Sequence, residues 1–224
     1  MLKISPAPLP FPKWVNKFLV IGASIVGFGG AYVLAVAIYA AAPGTQRVGY
    51  APKQPVAYSH LLHAGELGID CRYCHNTVDT SAQASIPPTQ VCLNCHANIR
   101  STSEKLIPIR ESYATGMPVE WVRIHDLPDF VYFNHSAHVN RGVGCASCHG
   151  RIDKMEVVSQ DQPLTMGWCL DCHRNPEKHL RPLDEVTTMD YVPLEDQEAL
   201  GERLKAEYKI RDREKLTDCS LCHR

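Results

Sequence analysis

All ten cysteines of this 224-residue chain fall in five copies of one pattern, Cys-x-x-Cys-His, and no other feature so narrows what the chain can fold into. The copies are Cys71, Cys74 and His75; Cys92, Cys95 and His96; Cys145, Cys148 and His149; Cys169, Cys172 and His173; and Cys219, Cys222 and His223. Two thiols separated by two residues reach both vinyl groups of a haem as thioethers, and the histidine on the same turn sits beneath the iron. CxxC pairs also hold zinc or exchange disulfides. Zinc ribbons, however, pair one CxxC with a distant one and place no demand on the next residue. Structural disulfides would not space ten cysteines as five identical pairs. With 11 histidines in the chain, five following five CxxC pairs by chance has a probability on the order of one in a million. The pattern implies five covalent haem c groups.

That cofactor load sets the fold class. The 182 residues after position 42 give about 36 per haem, too few for a large side-chain core, so the porphyrins themselves supply much of it. The expected architecture is mostly α and irregular, a loop-rich multihaem cytochrome c with a haem-packed core. Covalent attachment to CxxCH is made outside the cytoplasm, which places this part on the periplasmic or extracellular face of a membrane. Beyond position 42 there are 20 basic against 24 acidic side chains, and haem propionates would occupy many of the cations. No basic tract points to nucleic acid.

Residues 1–17 carry Pro6, Pro8, Pro10 and Pro12 and read as an extended arm, with Trp14 beside Lys13 and Lys17 as an interface anchor. From Phe18 to Ala42 there are 25 residues without a charge. As a helix they span about 37 Å against a hydrocarbon thickness of about 30 Å. Small residues at Ala40, Ala41 and Ala42 would suit signal cleavage, but a signal core runs only about 7–15 residues, so the segment reads as a retained transmembrane helix. Three lysines before it and the haem motifs after it put the amino terminus on the cytoplasmic side. Ala23, Gly27, Ala31 and Ala35 form a smooth ridge on that helix, where a partner helix could approach closely. Pro43 and Gly44 end it, and residues 43–57 read as a linker.

An internal repeat follows. Tyr58, His60, His63 and the first two motifs parallel Phe133, His135, His138 and the third and fourth motifs, with corresponding histidines offset by 75, 74 and 77 residues. A four-haem region, residues 58–182, thus divides into units 58–98 and 133–182. Histidines three apart share one face of a helical turn but point to neighbouring positions, so each HxxH pair can ligate two irons. With His125 and His179, six spare histidines (His60, His63, His125, His135, His138, His179) face five irons. Irons saturated by two histidines carry electrons and do not bind substrate. Met155 or Met166 is an alternative sixth ligand for one haem and would raise its potential. Residues 183–224 form a tail in which Leu194 to Leu216, acidic first and basic last, predict one long amphipathic helix with Leu200, Leu204 and Tyr208 on its apolar stripe, delivering the fifth motif.

Four stretches carry a family resemblance: Gly49 to His60 (GYAPKQPVAYSH), Ile86 to Pro88, Trp121 to His135 (WVRIHDLPDFVYFNH) and Pro163 to Arg174 (PLTMGWCLDCHR). They resemble the membrane-anchored pentahaem cytochrome c subunit of alternative complex III. The resemblance implies an electron-transfer subunit of a quinol-oxidising respiratory or photosynthetic complex, with no catalytic site of its own. Its implied partners are polytopic quinol-binding membrane subunits, an iron-sulfur subunit resembling molybdopterin oxidoreductases, and a monohaem cytochrome c. Electrons would pass to a periplasmic acceptor or terminal oxidase. Two other readings are a membrane-anchored multihaem dehydrogenase acting directly on quinol and a multihaem reductase with an open iron. Cys71 lies 29 residues beyond the apolar stretch, far from the surface position the first requires, and the surplus of histidines argues against the second.

Overall fold

The computed structural model describes residues 12, 14–42 and 44–223. The arm up to Phe11, Lys13, the Pro43 helix stop and Arg224 lie outside the described residues. The chain divides into two compact units, residues 1–46 and 47–224.

The first unit is a single helix, α1, Trp14–Ala41, of 28 residues and mean hydropathy 2.1 over its most apolar window. It begins four residues before Phe18, because Trp14 to Lys17 lack a helix breaker and the Trp14 and Phe18 rings pack edge to face at 5.3 Å. Trp14 and Lys17 are therefore part of the helix, not of an extended arm. None of its side chains is buried. At about 42 Å it is long enough to cross a bilayer with tilt.

The second unit is helical and loop-rich. Among the described residues, strand pairing is limited to two isolated bridges, Val131 with His223 and Val143 with Leu180. Helices α2 (Cys71–Cys74), α3 (Thr89–His96), α6 (Ala146–His149), α7 (Met166–Arg174) and α10 (Cys219–Cys222) carry the CxxCH motifs. Three start on side-chain caps: Asp70 accepts from the Arg72 amide, Thr165 from Trp168 and Asp218 from Ser220. Helix α4 (Ile107–Thr115) fills the connection between the two repeats, residues 58–98 and 133–182, opening with Pro108 in its first turn and closing on Gly116 at φ 72°. The linker is pinned by paired backbone bonds, Gly49 N–H to Gln160 O and Gln160 N–H to Tyr50 O.

The tail departs from the expected single helix. Leu194 is fully exposed and precedes α8 (Gln197–Glu207), which Asp196 caps at Ala199 N–H; a separate turn, α9 (Arg213–Leu216), follows. Lys209 takes a left-handed φ of 52°, and the Ile210 amide bonds back to Lys205 O, closing α8 as a Schellman cap. The stop lets Ile210 turn onto the cluster of Leu180, Leu200 and Leu204, against which Val143, Tyr191 and Tyr208 also pack. The Leu200, Leu204 and Tyr208 stripe therefore faces inward as its spacing required. This cluster holds half of the six apolar side chains buried among the described residues, so the protein-only core is small. Leu204→Ala is accordingly expected to cost about 2–4 kcal/mol, checked as a lowered chemical-denaturation midpoint.

Candidate functional site

The two duplicated segments build the same local geometry. In the first, the Tyr58 ring stacks on His63 at 4.4 Å and 23° and meets His60 edge-on at 4.8 Å and 85°. In the second, Phe133 stacks on His138 at 4.6 Å and 24° and meets His135 at 4.7 Å and 88°. Each second histidine donates Nδ1–H to the carbonyl four residues back, His63 to Ser59 at 2.8 Å and His138 to Asn134 at 2.7 Å. The turns differ in kind. His135 and His138 lie on α5 (His135–Val139), capped by Asn134, whereas His60 precedes a wider π-type turn, Leu61–Glu66. Tyr58 and Phe133, which open the repeat in the sequence, thus gain a role that the sequence did not give them: each packs on both histidines of its HxxH pair.

A backbone carbonyl also takes Nδ1–H of His75 (Ser85 O, 2.9 Å), His96 (Ile99 O, 2.9 Å), His135 (Ala82 O, 3.1 Å), His173 (Leu216 O, 2.8 Å) and His223 (Phe130 O, 3.3 Å). Seven of the eleven histidines thus have one tautomer fixed, which leaves the Nε2 lone pair available to a ligand bond. Burial lowers the pKa of His138 below the ordinary histidine value in spite of its bond to Asn134. The ring is therefore neutral at physiological pH, which metal ligation requires.

Ring pairs then test whether these residues fit haem. His63 faces His96, and His138 faces His173, each with ring centres 6.1 Å apart. Two imidazoles bound on opposite sides of one metal, each at about 2.0 Å, have ring centres about 6.2 Å apart. Both pairs fit, and both couple the second histidine of an HxxH to the second motif of its own unit. His125 and His149 sit closer, at 4.4 Å, so one ring must turn before both can hold a single iron. Burial, then the fields of His125, His135, His75 and His60, hold His149 down at about 3, and burial, then His75 and His63, hold His60 at about 4. Five histidines therefore crowd together where the units meet. His60 Nδ1, His149 Nδ1 and His125 Nε2 are buried without a hydrogen-bond partner, so these three rings lack the carbonyl bond that fixes the other seven. His179 is half-buried and has no histidine ring beside it among the described contacts. Met155 Sδ accepts from Ser159 Oγ at 3.9 Å, and Met166 is 66% exposed at the start of α7, so neither is turned toward a motif histidine by a described contact.

None of the ten cysteines is in a disulfide, and no three His, Cys, Asp or Glu converge as a metal-ion site among the described residues. Neighbouring motifs lie close together. Asn94 Nδ2 donates to Tyr73 Oη at 3.1 Å between the first two, and the Cys71 and Cys145 thiols lie within hydrogen-bonding reach between the first and third. Burial and the nearby Cys172 and Cys169 thiols push Cys148 up to about 12, joining the third to the fourth. Burial and then Cys222 raise Cys169, joining the fourth to the fifth. The last motif is tied to the body through Tyr132 N–H to Cys222 O at 2.8 Å and the bridge of His223 with Val131.

Part of the chain is similar to known proteins. Residues 131–224, which hold the last three motifs, match the family profile of cytochrome c7 and related cytochrome c. The multihaem cytochrome c subunit of a menaquinone reductase from Nitratidesulfovibrio vulgaris (strain Hildenborough) is 28% identical over 151 residues, covering 57% of this chain and 70% of that one.

Proposed function

We propose that this chain, a multihaem c-type cytochrome by fold, holds five haem c groups and relays electrons as the anchored subunit of a quinol-oxidising complex of the alternative complex III type. The observation that carries the reading is the pair of histidine couples, His63 with His96 and His138 with His173, each spaced for one iron. Haem c supplies a reversible one-electron iron couple whose potential follows from axial ligand, burial and hydrogen bonding.

The protein's part is positional. The ten cysteines would fix attachment, the five motif histidines would hold one iron each, and the second ligands would be drawn from the pool of His60, His63, His125, His135, His138 and His179, one more than five irons need. The carbonyl bonds at Nδ1 hold the rings in register and make them stronger donors. The first motif lies beside the second, Asn94 against Tyr73, and beside the third, Cys71 near Cys145. Closely placed sites of this kind suit a conductor between partners better than a single catalytic pocket.

The relative is described as a subunit of a menaquinone reductase, and α1 is long and apolar enough to anchor this chain in a membrane. We infer an amino terminus on the cytoplasmic side and the second unit on the periplasmic side. The inferred partners are polytopic quinol-binding subunits, an iron-sulfur subunit and a monohaem cytochrome c. A pyridine haemochrome assay should return five haems per chain, and purification in mild detergent should bring down a polytopic subunit and an iron-sulfur subunit. Any other haem number refutes the pentahaem reading, and a chain that purifies alone refutes the complex.

A further inference from the structure

A groove of about 880 Å³ lies between residues 182–195 and α8. Its rim carries Asp184, Glu185, Asp190, Glu195 and Glu207 against one cation, Arg203, which is paired with Glu195. Its interior is apolar: Leu200 and Leu204 form the floor, and Val192 and Leu194 stand at the lip, 74% and 104% exposed. The charge is concentrated here. Residues 183–207 hold eight carboxylates and two cations, while the rest of the chain beyond position 42 holds 16 and 18.

The chemistry excludes several occupants. No cysteine or histidine lines the groove, and its carboxylates would repel haem propionates, so it is not a haem cradle. No three carboxylates converge on an ion site among the described residues. Anionic lipid would be repelled, and so would the same acidic face of a second copy. A cationic polypeptide satisfies both the rim and the apolar floor. We propose that this groove docks a partner protein whose contacting face carries lysine and arginine around a protruding apolar side chain.

The groove wall gives such docking a position. Glu185 and Thr188 flank buried Val186, whose carbonyl accepts from the Cys145 amide at 2.9 Å. A docked face therefore lies one layer of chain from the third CxxCH motif. This surface goes beyond the proposed relay, and binding is read separately from haem content and activity.

The test uses the full chain with its haems in detergent and lysine-rich mitochondrial cytochrome c as the probe, with binding titrated at low and moderate salt. Wild type should bind, more weakly as salt rises. The variant Asp184→Lys/Asp190→Lys/Glu207→Lys should lose at least about tenfold in affinity at low salt, and Leu194→Ser about threefold. The exposed pair Glu104→Lys/Glu111→Lys, outside the groove, should stay within about twofold. Should the triple variant fold poorly, judged by haem content and Soret spectrum, Asp190→Asn and Leu194→Ser carry the comparison as single changes at exposed positions. No binding by wild type, equal weakening by the control pair, or a wild-type dimer abolished by Leu194→Ser each overturns the proposal.

Discussion

His138→Ala is expected to leave every haem attached and to convert one of them from six- to five-coordinate. The reduced variant should then bind about one carbon monoxide per chain where the parent binds none, with a high-spin band in the oxidised spectrum. The argument begins at the ring. His138 is stacked on Phe133, its Nδ1–H is committed to Asn134 O, and its ring centre lies 6.1 Å from that of His173. Alanine removes the nitrogen without disturbing Cys169, Cys172 or His173, so attachment and the proximal bond survive. His63→Ala should act identically on the second motif, because Tyr58, Ser59 and His96 reproduce the arrangement. The double variant should bind two. An unchanged spectrum in His138→Ala would remove that residue from the ligand set and with it the symmetry between the units.

The split between what could be read from the sequence and what could not follows the range of the forces involved. Attachment chemistry is local: a thioether pair and its histidine occupy one turn, so all five motifs stand out in the order of residues. The duplication was legible for the same reason, since Tyr58 to His63 and Phe133 to His138 carry their geometry in six residues each. The pairing of histidine rings was not, because His63 meets His96 and His138 meets His173 across more than 30 residues of chain. Propensity gave no stop between Leu194 and Leu216, as Lys209, Arg211 and Lys215 all suit a helix. The break at Lys209 comes from Ile210 seeking the Leu180 cluster, a tertiary demand that outweighs a few tenths of a kcal/mol per residue. The helix start at Trp14 was missed in the opposite direction: apolar composition marks where a bilayer core fits, not where helical hydrogen bonding begins.

Gly201→Ala, a substitution that would normally stabilise a helix, is expected to destabilise this one. Alanine in a helix interior gains about 1 kcal/mol over glycine. At position 201, however, a Cβ would fall on the backbone carbonyl of Glu177, with Glu177 C at 2.5 Å and Cα at 2.6 Å. The obstacle is backbone, so no rotamer change relieves it, and α8 must lift from the turn Pro176–Lys178 that it packs against. Lifting also strains the Gln197 side chain, which donates to Glu177 O and Leu180 O at 2.9 Å each, and opens the cluster containing Leu200 and Leu204. Overpacking of this kind costs about 1–3 kcal/mol, with more from the exposed leucines, so the net loss should be about 2–4 kcal/mol. Glu202→Ala, one residue on and 60% exposed, should change stability by no more than about 0.5 kcal/mol. Denaturant titration followed by far-ultraviolet circular dichroism separates the two. Equal midpoints for Gly201→Ala and Glu202→Ala would mean that α8 is not seated on Glu177, and the acidic groove that α8 walls would lose its structural basis.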